Sequence, residues 1–170
     1  MLEFVGHIYW LMLPAIVGGV LNMVWVKLPI LKSWQKPMDG GKKLKDGRRI
    51  FGDNKTWKGF FGMIAFTAIS AWVFGVFGFF SGAWLGFAYV VAELPNSFIK
   101  RRLDVPPGKS GGIVQTFFDQ ADSAIGYALL LFVVYPATWQ DMAGLVVIGT
   151  ITHYIVNILL FFAKLKNQKG

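Results

Sequence analysis

The chain contains no cysteine. Disulfides and thiolate metal sites are therefore excluded. Charge is scarce too: 15% of the 170 residues are Asp, Glu, Lys or Arg, well below the level of a soluble domain. Acids are the scarcer sign, 9 against 17 basic residues. The two histidines, His7 and His153, have no histidine neighbour at metal-ligand spacing. Nothing resembles a serine triad, and there is no internal repeat or low-complexity segment.

What abounds is apolar length, with 55% of residues hydrophobic. Apolar runs cover 4–31, 59–80, 82–99, 113–135 and 142–163. At about 1.5 Å rise per residue each can cross roughly 30 Å of hydrocarbon. Sixteen of the 17 basic residues fall between or after these runs, in Lys32 to Lys58, Lys100 to Lys109, and Lys164 to Lys169. The other, Lys27, adjoins the first stretch. If each run crosses once, all three basic stretches lie on one side. The N-terminus, a tight turn near Ser81 and segment 136–141 lie opposite, without Lys or Arg. That distribution is the positive-inside pattern.

The pattern predicts an all-α integral membrane protein with five transmembrane helices, near 4–28, 57–80, 82–101, 113–135 and 142–164. They form a single membrane domain over 1–170, multi-pass in the cell membrane. The N-terminus is expected outside, with the C-terminus and two polar loops cytosolic. The first run is too long for a signal-peptide core and lacks a basic n-region, so it counts as a helix of the mature protein. The net charge of +8 then reads as orientation and attraction to anionic membrane lipids, not nucleic acid. No protein partner is evident.

Helix four carries the clearest chemistry. Its apolar part after Asp122 is 123–135, too short to span alone. The helix must begin near Ile113, which puts Asp119 and Asp122 inside it, just below the head groups. Three residues apart, they share a helical face. Burying such a charge costs about 3 kcal/mol on insertion scales. Two carboxylates facing a basic loop suit a divalent cation. Mg²⁺ takes one or two carboxylates and completes its shell with water and substrate phosphate. The structural alternative is a pair neutralised by Lys100 or Arg101.

At the end of helix three, Asn96, Ser97, Lys100 and Arg101 fall on one side. They read as a phosphate-binding cluster, Lys as a point charge and Arg as a fork. Their alternative role is to anchor the helix end, which is the reading for Arg102. Glu93, one turn deeper, is either an ion-pair partner or a metal ligand. The loop 32–59 is the only segment with room for structure of its own, including a short hairpin around Lys45-Asp46-Gly47-Arg48. Its end, 52–59, feeds helix two and can present backbone N–H groups to an anion. Lys55 and Lys58 add charge there. Thr56 adds a hydroxyl, or serves as an N-cap. The turn 106–112 supplies Lys109. Gly108-Lys109-Ser110 looks like the end of a Walker A motif, but Leu103 stands where that motif needs glycine and no strand precedes it, so a P-loop is rejected.

Ser97, Lys100, Arg101, Pro106, Pro107, Gly108, Lys109, Ser110, Gly111, Gly112, Asp119, Asp122 and Ser123 together resemble the signature of the CDP-diacylglycerol synthases. With the loop 52–59 and five helices in 170 residues, the chain is most similar to their small archaeal branch, the CDP-archaeol synthases. The resemblance implies a cytidylyltransferase joining CTP to an isoprenoid glycerol phosphate ether lipid, with release of pyrophosphate. It implies Mg²⁺ on Asp119 and Asp122, triphosphate held by Asn54, Lys55 and Lys58, and phosphate held by Lys100 and Arg101. Departures are Gln120 in place of Arg, and Lys109-Ser110 in place of a His. Two rivals stand beside this reading. A CDP-alcohol phosphotransferase would use a motif that Asp39-Gly40 begins but the following residues do not complete. A small transporter or scaffold would want polar groups at the bilayer midplane, where only Asn22 and Asn157 qualify.

Overall fold

The computed structural model describes residues 1–109 and 111–165. Ser110 and residues 166–170, with most of the third basic stretch, lie outside the described residues. Five α-helices are present among those described: α1 (Leu2–Lys27), α2 (Trp57–Val73), α3 (Phe79–Arg102), α4 (Ile113–Val134) and α5 (Trp139–Phe162). A single 3-10 turn, Lys32–Gln35, follows α1. Three of the five, α1, α4 from Val114 and α5, are long and apolar enough to cross a membrane by length and composition. The fourth apolar helix, α2, is shorter at 17 residues.

The helices pack in chain order, α1 along α2, α2 along α3, α3 along α4 and α4 along α5. Small residues bring the first three together. A Cβ on Gly18 would stand 2.6 Å from Thr67 Oγ1, and one on Gly82 would stand 2.5 Å from Ala71 Cβ. Such close backbone approach is how helices associate where burial from water offers no drive. On α4, a Cβ on Gly126 would meet Ala92 Cβ at 2.3 Å, so α4 seats directly on α3. Outward faces stay apolar: Trp72, Phe80, Val133 and Phe162 are each at least two-thirds exposed. An apolar surface of that extent fits lipid contact.

Two boundaries differ from the sequence reading. The turn joining α2 and α3 is not near Ser81, which lies inside α3, but at 74–78. Gly75 adopts a φ of +66° and donates its N–H to Trp72 O, while Val76 N–H reaches Ala71 O. This is a Schellman stop, which needs the left-handed backbone that glycine permits. Helix α5 starts at Trp139 rather than near 142, because Thr138 and Asp141 form a capping box. By contrast, α4 begins at Ile113, where the span-length argument put it.

The loop after α1 is ordered from within. Its ends pair, with Met38 N–H donating to Lys55 O and Trp57 N–H to Lys36 O. The expected hairpin is present as a turn in which Leu44 N–H donates to Arg48 O and Gly47 has φ +77°. At its centre is Asp39, buried, accepting from the N–H groups of Gly41, Phe51 and Gly52 and from Arg49. Asp39 is thus spent on structure, which removes the support for a CDP-alcohol phosphotransferase motif there. Burial alone would raise its pKa, but Arg49 and the three backbone donors win and hold it well below the usual carboxylate range.

Because folding lowers the Asp39 pKa, its stabilisation is complete above the ordinary unfolded value of about 3.9 and is withdrawn as pH falls below it. Asp39→Asn is expected to cost about 2 kcal/mol at neutral pH. Thermal unfolding in detergent should show a lower melting temperature for the variant at pH 7, with the gap narrowing below about pH 4. A gap independent of pH would mean that Asp39 acts through shape and not charge.

Candidate active site

At the loop end of the bundle, α3 and α4 face each other across their carboxylates. Asn96 Nδ2 donates to Asp119 Oδ1 at 2.8 Å and to Asp122 Oδ2 at 2.9 Å. Lys100 Nζ pairs with Asp119 Oδ2 at 2.6 Å. The other Asp122 oxygen accepts from Ser123 N–H at 2.6 Å. Gln115 Nε2 donates to Asn96 Oδ1, which fixes the orientation of the bridging amide. Both acids thus converge on one point, held by a single NH₂ group of partial positive charge.

That convergence fits one hard cation. The donors are oxygens, and two carboxylates leave room for water and phosphate ligands, the arrangement Mg²⁺ favours. No group of three or more His, Cys, Asp or Glu able to hold a metal occurs among the described residues. Glu93 forms an ion pair with Lys55 and does not group with the two aspartates as a three-ligand site among the described residues. Burial disfavours the Lys55 ammonium, but Glu93, with Asp122 and Asp119 behind it, outweighs that and raises its pKa. Lys55 therefore stays charged.

Arg101 is 6% exposed, and its Nε and Nη1 have no protein acceptor. Buried donors of this kind call for an acceptor. Two loops close over it. Gly52, with φ +100°, touches Pro107 so closely that a Cβ would stand 2.9 Å from Pro107 Cγ and 3.5 Å from Arg101 Nη1. Arg102 points elsewhere and is more than an interfacial anchor. It donates to Asp46 Oδ2 at 2.7 Å and to Arg49 O, and lies 5.0 Å from the Phe98 ring centre. Arg48 adds contacts to Asp104 and Arg102 O, so the loop is clamped to the end of α3.

These groups line one cleft of about 760 Å³. Its polar lining includes Asn54, Lys55, Thr56, Asn96, Ser97, Lys100, Arg101, Lys109, Asp119 and Asp122. Apolar side chains of α1 and α5, among them Met12, Ile16, Val20, Leu145, Val156 and Leu160, line the same cleft. One predicted site residue is absent from this wall. Lys58 is fully buried and turned away, donating to Leu28 O at 2.7 Å and lying 4.7 Å from the Trp25 ring centre. Its cation caps the C-terminal end of α1, where the helix dipole favours positive charge. Thr56 is the N-cap of α2, accepting from Gly59 N–H at 3.2 Å, and also borders the cleft.

A second polar layer, to which Tyr89 was not assigned from the sequence, adjoins the first. His153 Nδ1 lies 3.1 Å from Gln120 O and 3.3 Å from Ser123 Oγ, and its Nε2 lies 3.4 Å from Tyr89 OH. A carbonyl only accepts, so Nδ1 carries the proton. Asn157 Nδ2 donates to Gln120 Oε1 at 2.5 Å. Tyr89 is four residues before Glu93 and Ser123 follows Asp122, so helical spacing offered both. His7 instead pairs with Asp141 at the far end of the bundle, at 3.3 Å.

The family model of the CarS-like proteins, CDP-archaeol synthase, matches residues 1–169. The chain belongs to this family. A CDP-archaeol synthase of Pyrococcus abyssi is 32% identical, over 94% of each chain. One of Thermofilum pendens is 33% identical over 91% of this chain and 76% of its own. A solved structure, described as an intramembrane enzyme for archaeal membrane lipids biosynthesis, matches with a TM-score of 0.65 and 25% identity. It covers 88% of this chain and 92% of that one. Membership makes the chain a membrane-bound nucleotidyltransferase.

Proposed function

We propose that the chain joins CTP to an isoprenoid glycerol phosphate ether lipid, giving a CDP-lipid and pyrophosphate. The observation that carries this is one cleft lined both by charged groups and by apolar side chains. A triphosphate needs the first, and polyprenyl chains need the second. An oxygen of the lipid phosphate attacks the α-phosphorus of CTP, and the bond to the β-phosphate oxygen breaks. A phosphate monoester is already an anionic nucleophile, so no general base is required. Positioning and charge stabilisation supply the rate.

The residues divide as follows. Asp119 and Asp122 would hold Mg²⁺, which would supply charge neutralisation for the phosphates and the leaving pyrophosphate. Asn54, Lys55, Thr56 and Lys109 bind the nucleotide phosphates from the two loops. Lys100 and Arg101 bind phosphate, that of the lipid, with Ser97 beside them. Asn96 aligns the two carboxylates. Lys58 has no role in substrate binding and serves the loop–helix junction. The transporter alternative loses its footing, since Asn22 and Asn157 both border this same cleft and are bonded to Gly59 O and Gln120.

The test is release of pyrophosphate by the purified chain, requiring CTP, a polyprenyl glycerol phosphate and Mg²⁺ together. Pyrophosphate release without the lipid, or no release with all three, would reject the reading.

All five helices are proposed to cross the membrane, with the N-terminus outside and the cleft on the cytosolic face. A reporter inserted near Lys45 is expected to read cytosolic, and a tag at Met1 to be labelled by an impermeant reagent from outside. A cytosolic tag at Met1 would mean that one helix does not span.

A further inference from the structure

Lys100 has two duties that it cannot perform at once. Its ammonium is bound to Asp119 Oδ2 at 2.6 Å, with the side chain only 12% exposed. The same lysine is the one placed to meet substrate phosphate. The neighbouring Arg101 shows what an available phosphate donor looks like here: its Nε and Nη1 are buried with no protein acceptor. Lys100 is instead committed to a carboxylate that a cation would need.

We propose that Lys100 is the resident counter-ion of the acidic pair, that a divalent cation displaces it, and that the freed ammonium completes the phosphate site beside Arg101. This rests on the metal reading of Asp119 and Asp122 given above. Two acids at this depth are costly if unpaired, so the metal-free fold needs a cation on them. Lys55 contributes charge only from a distance, its ammonium being bonded to Glu93. Asn96 supplies two hydrogen bonds but no net charge. A divalent ion ligated by the same carboxylate would sit within a few ångströms of the ammonium, in a poorly screened environment where like charges repel strongly. Lys100 therefore leaves as the metal enters. The released lysine needs an anion, and substrate phosphate provides it.

Metal and phosphate binding are then positively coupled, each favouring the other by the same factor. The coupling makes the charged site assemble only when both are present. It also keeps the carboxylates neutralised between turnovers without a permanently bound ion.

The test is a Mn²⁺ titration followed by electron paramagnetic resonance, on the full chain in detergent with no substrate. Lys100→Gln removes the competing charge and keeps the stem. It is expected to bind Mn²⁺ about tenfold more tightly than wild type, the ordinary scale of a coupling between sites. Lys100→Arg keeps the competitor and should bind Mn²⁺ much as wild type does. Equal or weaker Mn²⁺ affinity in Lys100→Gln overturns the proposal while leaving the metal reading intact. Should Lys100→Gln lose helical circular dichroism, Lys100→Met is scored on the same criterion. Absence of any Mn²⁺ site that Asp122→Asn removes, in wild type and variants alike, overturns the metal reading and the proposal with it.

Discussion

Asp122→Asn is expected to lower turnover by at least about 10²-fold, the scale of losing one electrostatic contact in a transition state. The substitution keeps the size of the side chain, so the packing of α4 on α3 survives. What changes is charge and donor pattern. Asp122 Oδ2 accepts from Asn96 Nδ2 at 2.9 Å, and an amide nitrogen placed there would face another donor. The two carboxylates would no longer converge on one cation. Asp119→Asn should cost a similar factor and also leave Lys100 without its ion-pair partner. Asp122→Asn should fold as wild type does, because removing a charge at membrane depth relieves desolvation, whereas Asp119→Asn leaves the little-exposed Lys100 ammonium unpaired and should fold with a lower melting temperature. Helical circular dichroism and melting temperature check the fold, and Mg²⁺-dependent pyrophosphate release checks the rate. Turnover near wild type in either variant would remove the pair from the mechanism.

How far the sequence leads can be judged from particular residues. The helices were legible because a membrane demands long apolar runs and sorts basic residues to one side. The Asp pair was legible from length alone, since 123–135 cannot span and the helix had to reach back to Ile113. Spacing along α3 put Asn96, Lys100 and Arg101 on one side of the helix, and in the structure Asn96 and Lys100 bond to the acids. The failures have physical causes as well. Gly75 stops α2 within an aromatic run that carries no polar break, so hydropathy ran on to Phe80. Lys55 and Lys58 are three residues apart, but the helix begins only at Trp57. Helical spacing therefore does not relate their directions, and Lys58 turns to the end of α1 instead. The Asp39–Arg49 centre of the first loop joins residues ten apart with no periodicity. Only the folded loop reveals it. His153 reaches Tyr89 and Ser123 across three helices, a contact no local pattern encodes.

The adjacent arginines of α3 provide the sharpest separation of roles. Arg101→Lys is expected to lower kcat/KM for the lipid phosphate by at least about tenfold, one well-made charged hydrogen bond. Lys keeps the positive charge but loses the planar fork that grips two phosphate oxygens. The buried, unpartnered Nε and Nη1 of Arg101 are the atoms that the substitution deletes. Melting temperature should barely move, because those atoms bond nothing in the protein. Arg102→Ala should behave in the opposite way. Its guanidinium holds Asp46 and Arg49 O, so truncation unclamps the first loop from α3. It should lose about 1 kcal/mol of stability and raise KM through a loosened loop, with kcat less affected. A silent Arg101→Lys would show that the fork grips no phosphate. An Arg102→Ala protein that melts like wild type would show that the clamp carries no weight. If Arg102→Ala were the one to abolish turnover with its stability intact, the phosphate would have to lie on the loop face of α3, beyond the cleft.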